Sequence, residues 1–495
     1  MAKMNKERLG SIIQSEIRDS QNHFETEYSA DRLKAIDYYL GEPFGNEVEG
    51  RSSVVTTDFA DAVEQIMPSL MRIFTSSDKY VRYAPRTADD VEKAEQLTDY
   101  VNYIINNDND GYRIMYNWFK DSLMFKLGVV KFSWDETSTV QEEEYEGLTE
   151  EEIALLLSNP DIEVVEREEN YIATMTEFGE EIQIVDNYDL KVKITKKSGK
   201  IKIDNVPPEE FLFNRRAKSL EDCYFICHRT TMSVSDLVSM GYDRKLIEDH
   251  AGKIDSEVDE ERQKRFEDLE SQSGRDPADP SQQDVIVHDI IMKVDYDDDG
   301  VAEMRRILAI GDTGSEILEN DICDYIPFAV ISPILMPHRL VGRSMFDLTQ
   351  DLQTIKSTLL RQYLDSTYHS VLPRIVAVEG QVNLDDLLDG TAGGIIRTRS
   401  AGAVQPLSTN GVGAEIQPLM NYLDEVKSDR TGISKASQGL DPSILQSTTA
   451  SAVSATVKGS QQKLESYART IAETGVKDLF RGILHLVSSY QQQER

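Results

Sequence analysis

One stretch of this chain decides its fold: residues 337–365, which read PHRLVGRSMFDLTQDLQTIKSTLLRQYLD. After Ser344 the apolar side chains recur at alternating spacings of three and four, which is the period of one helix face. These side chains are Met345, Leu348, Leu352, Ile355, Leu359 and Tyr363. Gly342 permits a close backbone approach, Ser344 can cap the helix, and Asp347 lies in its first turn, where the helix dipole favours an acid. The pattern predicts a long helix whose central stripe, Leu348, Leu352, Ile355 and Leu359, is a packing surface.

The opposite face of the same helix is polar. It carries Gln350, Asp351, Gln353, Lys356, Thr358 and Arg361. These side chains have no catalytic arrangement, and the periodicity by itself fits an ordinary helix packed on a core.

Short motifs around this helix occur in an order that resembles the portal proteins of short-tailed, double-stranded DNA bacteriophages. They are P-H-R-x-x-G-x-S at 337–344, D-x-x-x-D-x-Q at 347–353, R-Q-x-x-D at 361–365, E-x-R-R at 303–306, I-P-F at 326–328, and R-S-S-V-V at 51–55 followed by Asp58, Asp61, Glu64 and Met67-Pro68-Ser69-Leu70. The similarity runs from about Arg51 to Phe480. No motif is specific by itself, so the resemblance rests on their order over most of the chain.

The resemblance implies an α+β portal-type fold, mainly α-helical with β-rich wing segments, assembled as a ring. It divides the chain into a wing over 1–343, stem helix 1 over 344–370, a small α/β clip over 371–415, stem helix 2 over 416–432, a tunnel loop over 433–449 and a helical crown over 450–495. Portal proteins form a twelve-subunit ring at one capsid vertex. A terminase packages DNA through this ring, and the DNA later leaves through it.

The same resemblance implies partners and candidate site residues. The partners are further copies of the chain in a dodecamer, the large terminase, the major capsid and scaffolding proteins, the tail adaptor proteins, and double-stranded DNA that passes without sequence specificity. No cofactor is expected, and the location is the capsid vertex of the virion, with host cytoplasm during assembly. The tunnel-loop candidates are Lys435, Gln438, Gly439, Asp441, Pro442 and Gln446, and the clip docking candidates are Arg397 and Arg399.

The charge of the chain excludes one kind of DNA protein. It has 88 acidic against 53 basic residues, a net charge of -35. A protein that binds DNA by neutralising phosphates has a basic surface, because phosphate contacts supply most of the affinity. A conduit has the opposite requirement, since each tight phosphate contact would slow translocation. The balance therefore disfavours a DNA binder and suits a channel wall.

Other site classes find little support. The three cysteines indicate a reducing compartment, and Cys223-x-x-x-Cys227-His228 falls in a strand-like run without a second ligand pair. The first residues form a mixed-charge helix instead of a signal peptide, and no apolar run has the roughly 18 residues of a membrane span. The sequence has no G-x-x-x-x-G-K-[ST] phosphate loop. We therefore expect a protein that is neither an enzyme nor a membrane protein.

One turn has a chemical alternative. Asp295, Asp297, Asp299 and Gly300 match the first half of a calcium-binding EF-hand loop, but the glutamate expected at position twelve falls on Arg306. A hairpin turn explains these residues, and a loosely bound metal is the weak alternative. A metal-dependent nuclease built on the three aspartates, and another structural protein of the capsid vertex or tail, are the competing functions.

Further elements are predicted from local patterns. A lysine-rich hairpin is expected at 191–202 with its turn at Ser198-Gly199, an acidic mobile insertion near 246–283, and short strands at 372–378 and 394–398. A single long crown helix is expected from about Ala450 to Tyr490.

Overall fold

The computed structural model describes residues 4–77, 79–157, 159, 162–177, 180–252, 261, 264–265, 279–371, 373–389, 391, 393–407, 413–433 and 462–490. The tunnel-loop candidates lie outside these residues: Lys435, Gln438, Gly439, Asp441, Pro442 and Gln446. Most of the insertion predicted near 246–283 lies outside them as well.

Helices and sheets are both present, as the predicted α+β class requires. In chain order the helices are α1 Lys6–Phe24, α2 Ala30–Leu40, α3 Asp58–Thr75, α4 Val91–Tyr103, α5 Gly111–Phe125, α6 Glu150–Leu156, α7 Val234–Ser239, α8 Arg244–Glu248, α9 Met345–Val371, α10 Leu384–Leu388, α11 Gly413–Thr431, α12 over 462–471 and α13 Lys477–Tyr490. The strands are β1 Gly128–Leu148, β2 Ile162–Glu177, β3 Glu180–Val206, β4 Phe211–Phe213, β5 Phe225–Ser233, β6 Asp284–Val294, β7 Glu303–Ile310, β8 Glu316–Ile322, β9 Phe328–Ile331, β10 Ile375–Ala377 and β11 Val404–Pro406.

The chain divides into two compact units. The first comprises residues 1–80, 112–131 and 205–479. Its centre is a five-stranded antiparallel sheet of order β4-β5-β6-β7-β8. β6 is buried almost throughout, with apolar side chains on both sides of two buried polar residues, His288 and Asp289. Helix α1 contributes Leu9, Ile13 and Ile17, spaced four apart on one face, to the same core.

The second unit comprises residues 81–111, 132–204 and 480–495. Here β2 and β3 form a long antiparallel pair. Helix α6 begins with a capping box between Thr149 and Glu152 and buries Ile153 in a small cluster with Leu190 and Val192. The glutamates at 142–144, 146, 150–152, 166 and 168 are exposed, so this unit carries a strongly acidic surface.

The predicted turn at Ser198-Gly199 is wrong, because β3 runs unbroken from Glu180 to Val206. Gly199 serves a close contact instead. A Cβ at this position would lie 2.1 Å from Cζ2 of Trp134, so only glycine lets the strand lie against the indole ring.

Two other local predictions need correction. The expected crown helix is interrupted within its described part by a π-helical turn at Ala472–Val476, where Gly475 packs so closely on β9 that a Cβ would lie 2.5 Å from the Val330 carbonyl oxygen. The strand expected at 394–398 is also wrong, since β10 pairs with β11 instead. Only Thr398 of that segment forms a bridge, with Val382.

Candidate functional site: the long helix and its polar anchor

Helix α9 begins where the sequence predicts. The backbone amide of Ser344 donates to Oδ2 of Asp347 at 2.9 Å, and the amide of Asp347 donates to Oγ of Ser344 at 3.4 Å. This reciprocal pair satisfies amides that the first turn leaves without partners. At Gly342 a Cβ would lie 2.0 Å from the carbonyl oxygen of Ile334, which confirms the close approach inferred for this glycine.

The predicted packing stripe is only partly covered within one chain. Met345 and Leu352 are buried, whereas Leu348 and Leu359 are partly buried. Ile355 is 47% exposed and Tyr363 is 36% exposed. Two of the six stripe side chains are therefore exposed to solvent in the single chain, and two more are only partly covered.

Besides Met345 and Leu352, the chain buries a second face of α9 that is mainly polar. It consists of Phe346, Thr349, Gln353, Ser357 and Arg361, at spacings of three and four. Buried polar groups are costly unless they form hydrogen bonds. Each of these polar side chains has such a bond, and most of the partners come from the front of the chain.

An extended segment, residues 42–57, lies along this polar face, and we call it the strap. The guanidinium of Arg361 donates from Nε to the Val54 carbonyl oxygen at 2.8 Å and from Nη1 to Oδ1 of Asn46 at 2.7 Å. Its Nη2 bonds the Glu47 carboxylate. One arginine thereby joins three positions of the strap, and its planar fork suits this multiple contact.

Ser357 and Asp365 continue the attachment. Oγ of Ser357 accepts from the amide of Thr56 and lies 3.0 Å from Oγ1 of the same residue. Oδ1 of Asp365 accepts from the amide of Ser52 at 2.8 Å.

Beyond the strap, Gln353 anchors α9 to two other helices. Its Oε1 accepts from the amide of Phe59 at 2.9 Å, at the start of α3, and its Nε2 donates to the Tyr38 carbonyl oxygen at 3.0 Å, near the end of α2. Both functions of the buried amide are thus used. This arrangement fixes the rotation of α9 about its axis.

Asp58 joins α9, α11 and the start of α3. Its carboxylate is 3% exposed, and Oδ1 accepts from Nζ of Lys356 at 2.8 Å and from Nζ of Lys427 at 2.7 Å. Lys356 also bonds Asp424 at 2.6 Å. Burial would raise the pKa of Asp58, but the hydrogen bonds and charges of the two lysines outweigh burial and hold that pKa below its ordinary value. We call these four residues the Asp58 network.

A second ion pair joins α9 and α11 about one turn away from the Asp58 network. Nη1 of Arg430 lies 2.7 and 2.8 Å from the two carboxylate oxygens of Asp351. Apolar burial between these helices is small, since Leu352 and Leu423 are among their few buried apolar side chains. Ion pairs therefore make up much of the described contact between the two helices.

Comparison with known families identifies this architecture. The family model described as "Phage SU10 portal protein" matches residues 9–495, which is almost the whole chain. The chain belongs to this portal protein family. No curated protein matches it. As a phage portal protein it is a structural component of the virion capsid, and the resemblance read from the ordered motifs is confirmed.

The portal segment at 371–407 differs from the rest of the chain in having almost no core. Within its described residues only Ala403 is a buried apolar side chain. Of the predicted docking arginines, Arg397 forms a bidentate pair with Asp386 at 2.6 and 2.8 Å, so its charge already has an internal partner. Arg399 is exposed at the surface.

The acidic turn of the portal chain forms a hairpin tip between β6 and β7. The carboxylate of Asp295 accepts from the amides of Asp299 and Gly300 at 3.1 and 2.9 Å, and Asp299 accepts from the amide of Val301. The aspartates thus bond the backbone of their own turn. In the part of the chain that the structure describes, no group of three acidic, histidine or cysteine side chains is placed to hold a metal. No helix of that part is long and apolar enough to cross a membrane.

Proposed function

We propose that this portal chain is the subunit of a closed ring, a dodecamer as in its family, that serves as the DNA conduit at the unique capsid vertex. Helices α9 and α11 form the stem, residues 371–415 the clip, and residues 1–343 the wing. Helix α9 has 27 residues, about 40 Å at 1.5 Å per residue, which is long enough to line a channel. Residues 433–449 and 450–495 are the proposed tunnel loop and crown.

The observation that carries the proposal is the exposed apolar surface of the clip. Nine large apolar side chains at 371–407 are exposed: Val371, Ile375, Val376, Val378, Leu384, Leu388, Ile395, Ile396 and Leu407. Ordering a segment of this size loses conformational entropy, and burial of apolar side chains is needed to offset that loss. Burying such a side chain contributes about 1.5–3 kcal/mol, so neighbouring copies that cover this surface would stabilise both the clip and the ring.

Exposed side chains on the stem support the same assembly. Ile355 and Tyr363 on α9, and Leu419 and Tyr422 on α11, are all more than a third exposed. Contacts between unlike faces of adjacent subunits close into a ring when the rotation from one subunit to the next divides evenly into a full turn. The predicted packing role of Ile355, and of the uncovered parts of Leu348 and Leu359, then belongs to these contacts between subunits, whereas Leu352 packs within the chain.

The charge of the chain supports passage of DNA without sequence recognition. With a net charge of -35, each subunit repels phosphate on average, and at physiological salt this repulsion reaches only about 8 Å from the wall. The proposed partners follow from the position of the ring. They are the large terminase and later the tail adaptors at the clip, with Arg399 the better placed of the two docking arginines, and the major capsid and scaffolding proteins around the wing.

Substitution of a clip residue tests the proposal. Ile395 is 85% exposed in the single chain, so Ile395→Asp leaves the subunit folded but places a charge in the contact between copies. Val301→Asp is the matched control, because Val301 is 66% exposed at a hairpin tip far along the chain from the clip. We expect native mass spectrometry to give rings for wild type and for Val301→Asp, and folded monomers for Ile395→Asp. Intact rings from both variants would show that the clip does not hold the ring together.

A further inference from the structure

The strap is attached to the molecule in an unusual way. It is fully described, and none of its residues is buried. Among the backbone hydrogen bonds of the described chain, those of the strap lie at its two ends, Glu42 to Asp37 and Asp61 to Thr57, and in one internal turn, Arg51 to Val48. No strand ladder ties it to a neighbour within that part of the chain.

Side chains of α9 supply the attachment instead. Arg361, Ser357 and Asp365 account for the bonds to Asn46, Glu47, Ser52, Val54 and Thr56. The ring contacts of the strap come from Phe44, whose ring lies 4.6 Å from the Tyr38 ring and 5.5 Å from the Arg361 guanidinium. Val48 and Val54 are 56% and 42% exposed.

This chemistry makes opening inexpensive compared with opening of a core element. When an apolar contact opens, the exposed apolar surface forms no compensating hydrogen bonds with water. When a polar contact opens, water takes the place of each lost partner, so the net cost per hydrogen bond is small. Segments with few buried apolar contacts and exposed backbone are those that open locally. The face beneath the strap, which includes Ser357 and Arg361, is polar and suited to solvation.

The ends of the strap, by contrast, are firmly fixed. Gly41 caps α2 in the left-handed conformation with φ +74°, a geometry that favours glycine. At the other end Phe59 is fully buried and Asp58 is held by two lysines. An opened strap therefore remains a short tethered loop that returns to the same place.

We propose that the strap is a releasable clasp on α9, with Arg361 as its latch, which opens and closes while α9 and the central sheet stay folded. Opening frees the part of α9 beyond Arg361, which leads directly into residues 373–407. In the proposed ring this lets the clip end of the stem shift without unfolding the wing. That consequence rests on the proposed function, whereas the clasp itself does not.

Hydrogen exchange tests the clasp on the assembled protein. Peptides covering 46–56 should exchange at least tenfold faster than peptides covering β6, although the amides of Ser52 and Thr56 are bonded. Arg361→Lys keeps the charge but loses the fork, and it should speed exchange of the strap a further tenfold or more while α9 peptides over 346–359 stay unchanged. Arg399→Lys, the same change at an exposed site, should leave both regions as in wild type.

A reversible staple gives the opposite perturbation. Thr56 and Ser357 bring their hydroxyls within 3.0 Å, so Thr56→Cys with Ser357→Cys, in a Cys323→Ser background, places two thiols for a disulfide. We expect oxidation to slow strap exchange to the rate of α9, and reduction to restore fast exchange. The proposal is overturned if wild-type strap amides exchange only as slowly as β6, or if Arg361→Lys speeds α9 and the strap equally. Neither result depends on whether the protein acts as a portal, and native mass spectrometry of the Ile395→Asp variant tests that separately.

Discussion

Replacement of Asp58 by Asn is the most direct test of the charges that join α9 to α11. The substitution preserves shape but removes the one charge that Lys356 and Lys427 share. Lys356 keeps Asp424 as an ion-pair partner, whereas among the described residues the direct ion pair of Lys427 is with Asp58, and Asp61 acts on it only from a longer distance. Removing one partner of a buried ion pair costs about 3–5 kcal/mol. Since the Lys427 side chain retains 20% exposure and so some hydration, we expect a loss of about 3 kcal/mol in the free energy of unfolding.

The assay is urea unfolding followed by tryptophan fluorescence. Trp118 lies in the first unit and Trp134 in the second, so a Trp134→Phe background makes the signal report the unit that contains Asp58. A double-mutant cycle with Lys427→Met separates the coupling of the pair from the cost of each single change. We expect a coupling energy of about 2 kcal/mol.

Asp61→Asn provides the control. It is the same chemical change on the same helix, three residues later, at an exposed side chain, and it should cost less than about 1 kcal/mol. The pKa of Asp58 is lowered in the folded state, so its stabilisation is present above its ordinary value of 3.8 and is lost as the pH falls through the folded value. The difference between wild type and Asp58→Asn should therefore be constant from pH 5 to 8 and shrink only in strong acid. Equal losses for Asp58→Asn and Asp61→Asn would refute the Asp58 network as the element that joins the helices.

Three further predictions concern other parts of the chain. Asp295→Ala should lower the melting temperature because two backbone amides lose their acceptor, whereas Asp297→Asn should leave it unchanged with or without calcium; a calcium-dependent rise that Asp297→Asn abolishes would instead indicate a metal site. Burial raises the pKa of Asp121 to about 7, so the stability that its protonated form contributes is lost as the pH rises from about 4 to 7. Asp121→Asn should therefore raise the melting temperature more at pH 8 than at pH 5. Equal effects at both pH values would contradict this. Deletion of residues 438–446 should leave rings intact by electron microscopy but impair DNA packaging or retention, and normal yields of full infectious particles would show that this loop does not serve the channel.

The sequence predicted the features that depend on neighbours along the chain. The cap formed by Ser344 and Asp347, the close approach at Gly342, and the hairpin tip at Asp295 all involve residues within eight positions of one another. Local interactions of this kind can be predicted because the partners are close to each other in the sequence.

The polar anchor of α9 could not be read in the same way. Arg361 and its partner Asn46 are 315 positions apart, and no local pattern marks Arg361 as buried. A periodicity analysis assigns the apolar side of a helix to the interior, so it placed Ile355 inside and Arg361 outside. Both Arg361 and Gln353 are buried because the strap and the start of α3 offer them hydrogen bonds. Gly199 was misassigned for a similar reason, since a glycine that admits Trp134 has the same letter as one that forms a turn.

The pairing of α9 with the front of the chain has a consequence for how the gene can change. An apolar stripe tolerates small axial slips, because one methyl group substitutes for another along the groove. Gln353, Ser357 and Arg361 each bond particular donors or acceptors, so a helix displaced by one residue, or turned by about 100°, loses all of these partners at once. Single-residue insertions between Gly342 and Arg361 are therefore expected to be tolerated far less well than conservative substitutions of the exposed apolar positions. The spacing within this segment, more than its hydrophobicity, is what the fold constrains.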